Sequence, residues 1–220
     1  MKTRNMIMTV VLVATMLTCN FAYAEQSTDS GELNLTGAEQ APVIKAEKYR
    51  LTKRKLSIGF TLDLLPVVLS ATAKEFGMTG QVWVGIDHIR LRLVGGRISM
   101  PNWLVAKDGF RDQRTTVSAF LIDYVFGDDM DGWWVGTGFE LWQNSISHEA
   151  SLGKRVRFNN LLWTVGGGYI FKVAGNFFIE PWAAAHVIIN NHSVEMNGQS
   201  FKPMIVSGEI SLKIGYSFDL

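Results

Sequence analysis

Two groups of residues in this chain are of types that do chemistry. The first lies in turn-rich segments. His148-Glu149-Ala150-Ser151 sets a base, a carboxylate and a hydroxyl within four residues, and His192-Ser193 is followed by Glu195. A serine nucleophile needs its base within hydrogen-bond reach, and His148, Glu149, His192 and Glu195 are also metal-ligating types if their loops converge. Solvated loop side chains are the plainer expectation. The second group is Asp63, His88, Arg90, Arg92, Asp123, Glu140, Lys172, Glu180, His186, Glu209 and Lys213. Acids and bases nearly balance in it. Its chemistry is mutual neutralisation, or the holding of a small polar ligand by Arg90, Arg92, Asp123, Glu140 and Glu180, provided one set of elements brings them to a common face. No catalytic, cofactor or metal residue is assigned. No glycine-rich loop opens a helix to cradle phosphate, since Gly166-Gly167-Gly168 falls inside an alternating segment.

The elements that carry the second group alternate with a period of two. Val206, Gly208, Ile210, Leu212, Ile214, Tyr216, Phe218 and Leu220 oppose Ser207, Glu209, Ser211, Lys213, Gly215, Ser217 and Asp219. Strand neighbours point to opposite faces, so one face is apolar and the other polar or small. Similar segments cover about 55–71, 80–97, 114–126, 132–146, 156–172 and 176–190. That makes seven strands with the last, at 205–219. Asp87 breaks the alternation of the second, and Pro66 makes the first imperfect, by a bulge or an early end. Closed single-chain barrels of bacteria use even strand numbers. An eighth strand is therefore expected, near 42–53.

Such alternation fits a soluble, lipocalin-like barrel with its apolar face inside, or a membrane barrel with that face in lipid. The aromatics favour the second. The connections alternate between short, at 127–132 and 173–176, and long, at about 98–113, 147–155 and 191–204. At the short-turn end the apolar face carries Trp83, Tyr124, Phe126, Trp133, Tyr169, Phe171, Phe177, Tyr216 and Phe218. A core has no reason to gather aromatics at one end, whereas a lipid–water interface does. These nine residues are the expected periplasmic girdle. The charged group above then becomes the lining of a filled, ion-paired lumen.

The N-terminus is an address. Lys2 and Arg4 precede the apolar run Ile7 to Leu17, and Ala22-Tyr23-Ala24 is a small-x-small cleavage site. The run is too short for a membrane anchor and reads as a signal peptide, residues 1–24, cut after Ala24. Cleavage removes Cys19, the single cysteine among 220 residues, so no disulfide or thiol chemistry is expected. Residues 25–46 are polar and acidic, without periodicity, and are expected to be a flexible periplasmic linker. The barrel is expected over 47–220.

Composition agrees. With 21 Lys and Arg against 20 Asp and Glu, nucleic acid is not an expected partner. At 47% hydrophobic and 19% charged, the chain is too apolar for disorder.

Together the signal peptide, the alternating strands and the closing Ile214-x-Tyr216-x-Phe218-x-Leu220 resemble the small outer-membrane β-barrel proteins of Gram-negative bacteria, over about residues 50–220. Gly85-Ile86-Asp87-His88-x-Arg90-x-Arg92 and Gly175-Asn176-Phe177-x-x-x-Pro181-Trp182 resemble segments of uncharacterised barrels. The resemblance implies an all-β fold: an eight-stranded antiparallel transmembrane up-and-down barrel in the outer membrane, with outer-membrane lipid and lipopolysaccharide around it. The last strand resembles the signal read by the outer-membrane assembly machinery, which usually ends in Phe where this chain has Leu220. The expected role is structural or interactive at the cell surface, through the long loops, without enzyme activity or cofactor. The alternatives are an outer-leaflet lipid-modifying enzyme and a narrow channel or small-solute binder. Lipid A deacylases resemble one another through a His-x-Ser pair with a nearby Glu, and no His-x-Ser occurs here.

Overall fold

The structure, a computed structural model, describes residues 55–220 apart from 152 and 191. The expected signal peptide, linker and strand near 42–53 lie outside the described residues.

Among the described residues, ten strands and two helices follow in order. They are β1 (Leu56–Asp63), α1 (Leu64–Thr72), β2 (Met78–Ile86), β3 (Ile89–Ser99), α2 (Asn102–Val105), β4 (Phe110–Val125), β5 (Gly132–His148), β6 (Arg155–Ala174), β7 (Phe177–Ile188), β8 (Val194–Met196), β9 (Gln199–Phe201) and β10 (Val206–Asp219). Eight of the strands close an antiparallel barrel in the order β1-β10-β7-β6-β5-β4-β3-β2, and β8 and β9 form a separate hairpin in the β7–β10 connection. Closure is direct, from Ser57 opposite Asp219 to Asp63 opposite Lys213.

The barrel therefore closes without residues 42–53. The eighth strand comes from the segment 80–97, which is two strands rather than one. Ile86 pairs with Ile89 across a two-residue turn, and Asp87 takes a positive φ of 54° there. Aspartate tolerates that left-handed conformation better than most residues. The break in alternation at Asp87 is the sequence trace of this turn.

The first segment, 55–71, also divides. Strand β1 ends at Asp63, whose carboxylate accepts a hydrogen bond from the Leu65 N–H at 3.1 Å and caps α1. Pro66 sits in the first helical turn, where a missing N–H costs nothing. Of the bulge and the early end expected at Pro66, the early end holds, and a helix follows it. On the long-loop side, β10 runs on from Lys213 back to Val206 with no strand beside it where β1 would continue. Helix α1 packs against β2, β3 and β10 and occupies this notch. Its two ends are fastened: the Leu65 N–H also reaches Ser211 Oγ at 3.2 Å, and Ser70 Oγ accepts from the Ser99 N–H at 2.9 Å.

The faces settle which side is apolar. Phe60, Leu93, Phe120 and Phe139 are each more than half exposed on the outside, while Arg90, Asp123 and Glu180 are sealed within. Apolar residues face outward on all eight strands. Soluble monomers rarely expose contiguous apolar patches beyond about 600 Å². The arrangement is the inverse of a lipocalin-like barrel.

Candidate functional site

The lumen is built in layers. At the short-turn end an apolar floor joins Trp83, Val125, Met130, Trp134, Ile170 and Phe178. Above it lies the ionic layer. Arg90 on β3 donates from Nε to Asp123 Oδ2 at 2.8 Å, and from Nη1 and Nη2 to the two oxygens of Glu180 at 3.0 Å each. Arg92 donates to Asp123 Oδ1 at 2.7 Å and to Gln81 Oε1 at 3.0 Å. Lys213 Nζ stands 3.8 Å from Glu180 and 3.6 Å from the centre of the Trp182 ring. The Trp134 ring faces both guanidinium groups, at 5.0 Å from Arg90 and 4.8 Å from Arg92. Forked pairs and cation–ring contacts are what make buried charge tolerable.

Such crowding needs space on the neighbouring strand, where Gly136 of β5 pairs with Asp123. Gly136 provides it: a β-carbon there would fall 2.0 Å from Asp123 Oδ1. A glycine in a strand interior weakens the strand, and here the close approach of a carboxylate explains it.

Asp63 lies at the side of this layer. It accepts from Trp182 Nε1 at 3.2 Å and from the Ser211 hydroxyl. The next layer outward joins Glu140, Thr164, His186 and Glu209. His186 Nδ1 is 2.9 Å from Thr164 Oγ1, and its Nε2 is 3.3 Å from Glu209. Trp142 Nε1 donates to Glu140 at 2.7 Å. Above these, Thr115, Asn144 and Asn160 form a ladder of hydroxyl and amide groups. A space of about 50 Å³ remains beneath Pro66, lined by Thr61, Gln81, Arg92, Glu140 and Lys213. About 10–15 Å³ of such space holds one water, so a few waters fit.

Nine of the eleven expected lumen residues thus meet in these two layers. The other two stand apart. His88 is in the β2–β3 turn, with Nδ1 3.0 Å from the Val125 carbonyl and its ring stacked on Tyr124. Lys172 makes no ion pair among the described residues. Trp134, Gln81 and Thr164 are lumen residues that the sequence reading does not single out, although strand parity with Gly136 and Glu140 puts Trp134 on the inner face.

One girdle residue is misplaced. Trp83 faces the lumen at 4% exposure, edge-on to Phe178 and 5.9 Å from Arg90. Reading 80–97 as one strand carries the parity of β3 through the Asp87-His88 turn, which resets it. The remaining eight stand on the outside. Tyr124 meets Phe126, Trp133 meets Tyr169, Tyr169 meets Phe171, and Tyr216 meets Phe218.

The loop histidine is buried instead of solvated. His148 Nε2 lies 2.8 Å from Gln199 Oε1 and 3.1 Å from the Asp108 carbonyl, and Nδ1 accepts from the Ala150 N–H at 3.2 Å. Its ring packs edge-on against Phe110 at 5.0 Å. Phe110, Ile146, Phe158 and Val194 make a second apolar cluster, with Phe201 against it. His148 therefore fastens the β8–β9 hairpin over the barrel mouth, and both of its nitrogens are occupied. Ser151 Oγ faces Asn197, not the imidazole. Among the described residues no three His, Cys, Asp or Glu side chains gather as metal ligands.

Taken together, strand order, register and faces define a closed eight-stranded up-and-down β-barrel with a filled polar interior. No protein-family model matches the chain. No curated protein matches it either. Among solved structures, the N-terminal β-barrel domain of Pseudomonas aeruginosa OprF is similar at 13% identity and a TM-score of 0.44, covering 74% of this chain and 97% of that one. A major outer membrane protein from Thermus thermophilus is similar at 10% identity and a TM-score of 0.44, covering 76% and 100%. The β domain of the Bordetella autotransporter BrkA follows at 13% identity and a TM-score of 0.28, covering 76% and 80%. At these values the likenesses carry no argument of their own, and the fold rests on the strand pairing.

Proposed function

We propose that this chain is a non-conducting outer-membrane β-barrel that acts at the cell surface through the structured crown of its long loops. The observation that carries the reading is the inversion of polarity around a filled lumen: aliphatic and aromatic residues outside, and the Arg90–Glu180–Asp123–Arg92 network inside. An exterior of this kind is stable in lipid and costly in water, at about 25 cal/mol per Å² of apolar surface. The short turns and the chain end carry the aromatic interface, so that end faces the periplasm and the long loops face outward. Outer-membrane lipid surrounds the barrel in this reading, and β10 is the strand offered to the assembly machinery.

The crown supports a surface role because it is built. The β8–β9 hairpin is seated on the second apolar cluster, and exposed Trp103 and Leu104 on α2 present an apolar tip on the β3–β4 connection. A channel role finds a space of about 50 Å³, bordered by the charged groups Asp63, Arg92, Glu140 and Lys213. A lipid-modifying role finds His148 occupied at both nitrogens.

Reconstitution in planar bilayers tests the reading. The expected result is no steady unitary current, together with an unchanged lipid A and phospholipid mass profile in cells lacking or overproducing the protein. A steady open current, or one acyl chain lost or moved, overturns it.

A further inference from the structure

We propose that the outside of the β3–β6 wall holds one phosphorylated, multiply acylated lipid of the outer leaflet, its phosphates on an arginine platform and its chains on the apolar surface beneath. This rests on the membrane reading above.

The register puts the outward side chains of four adjacent strands in rows, each about 7 Å above the last. Leu93, Phe120, Phe139 and Trp163 form one row, and Gly95, Ser118, Leu141 and Leu161 the next. Arg97, Thr116, Gln143 and Asn159 follow, and then Arg114, Ser145 and Arg157, with Ser99 of the same row buried under Glu75. Arg155, one step higher, leans down to donate from Nε to Ser145 Oγ at 2.7 Å. The wall thus turns from wholly apolar to cationic over two rows. Nothing similar is needed for closing the barrel, whose hydrogen bonds are already complete along these strands.

The upper rows, with Asn144 and Phe158, line a groove of about 600 Å³, and no carboxylate is among its lining residues. Four guanidinium groups stand there. Only Arg114 has an ionic partner among the described residues, in Glu75. Arg97 and Arg157 are exposed and make no ion pair among the described residues. Below lies a shallow, open apolar surface formed by Leu93, Phe120, Phe139, Leu141 and Leu161. Gly95 deepens the join, because a β-carbon there would meet nothing within 4 Å.

Charge complementarity selects the occupant. Guanidinium forks match phosphate bidentately, and the hydroxyl and amide groups of Thr116, Gln143 and Asn159 suit a sugar backbone. A free phosphate uses the platform but not the apolar surface. A zwitterionic lipid uses the apolar surface but brings its own cation to the platform.

The test uses the refolded protein in dodecyl maltoside, with retention read by native mass spectrometry. The probes are hexa-acylated bisphosphoryl lipid A, the same lipid dephosphorylated, phosphatidylcholine and inorganic phosphate. Bisphosphoryl lipid A should be retained about tenfold over each of the others, and R97Q/R157Q should remove that preference. K107Q/K202Q removes the same charge elsewhere on the long-loop side and should leave it intact. Equal loss in both double variants, competition by inorganic phosphate at the lipid's own concentration, or undiminished retention by a heat-modifiable R97Q/R157Q barrel each overturns the inference. A wild-type chain that never inserts into lipid vesicles overturns the membrane reading beneath it instead.

Discussion

Arg90 and Glu180 join opposite walls of the barrel. The strands β3 and β7 are four places apart in either direction around the ring, and the guanidinium grips both carboxylate oxygens at 3.0 Å. No backbone hydrogen bond links the two strands. This fork is a strut across the lumen, and Asp123 holds the remaining edge of the same guanidinium.

Removing one end of the strut leaves a buried charge without its partner. Glu180→Met should destabilise the refolded barrel by about 3–5 kcal/mol, whereas the R90M/E180M pair should cost less than Glu180→Met alone. Urea midpoints in lipid vesicles, arranged as a double-mutant cycle, measure the difference. A double variant worse than the single one would deny the coupling.

Helix α1 takes the place of a strand, and Ser70 secures its far end. Ser70→Ala leaves the Ser99 N–H buried without its acceptor. The expected cost is about 1–3 kcal/mol. It should be felt locally, as faster amide exchange at Ser99 and faster proteolysis in 73–77, with little change at the floor of the barrel. Unchanged exchange at Ser99 would count against the helix as part of the wall.

A pH dependence follows from Glu75, in the connection between α1 and β2. The hydrogen bond from Arg114 holds its carboxyl below the usual carboxylate range, and Ser99 Oγ adds a second donor at 2.6 Å. A carboxyl lowered in the folded state contributes stability that is present above its unfolded value, about 4.3, and is lost as pH falls through the folded one. The α1 connection should therefore resist protease at neutral pH and loosen under acid. E75Q should show the loosened state at both pH values. A wild type with no acid sensitivity at 73–77 would contradict this.

The crown hangs on His148. His148→Ala removes the contacts to Gln199 and Asp108 and the packing on Phe110. Cleavage at the Asn197-Gly198 turn should quicken by about tenfold, since losing a net hydrogen bond costs about 1 kcal/mol and lost packing adds to it. Barrel stability should hardly move. A turn that stays resistant would mean that the hairpin is seated by Val194 and Phe201 alone.

Period-two alternation makes the two faces legible from sequence, because parity alone fixes them within any strand. That is why nine of the eleven lumen residues meet in the two charged layers and why the outside aromatics from Tyr124 to Phe218 stand where parity puts them. Parity fails at a turn it does not see. Asp87-His88 is a two-residue turn without the usual Asn-Gly or Asp-Gly signature, so parity puts Trp83 on the wrong face and counts one strand too few. Asp63 and Pro66 carry a helix start, but an apolar run as short as 64–72 fits strand or helix equally. The arginine rows on β3–β6 are hidden in the sequence because their cationic character depends on four strands lying in register, which no single segment encodes.

The central claim is that the apolar face of this barrel meets lipid. The strands contain no cysteine, so single cysteines can be placed on the outer face and spin-labelled without other changes. Labels at Phe120→Cys, Val135→Cys and Phe139→Cys should collide freely with oxygen and be hidden from a water-soluble nickel reagent in lipid vesicles. Labels at Gln143→Cys and Arg157→Cys, two and three rows above Phe139, should show the opposite. If all five are equally open to the nickel reagent, the exterior stands in water and the membrane account is wrong.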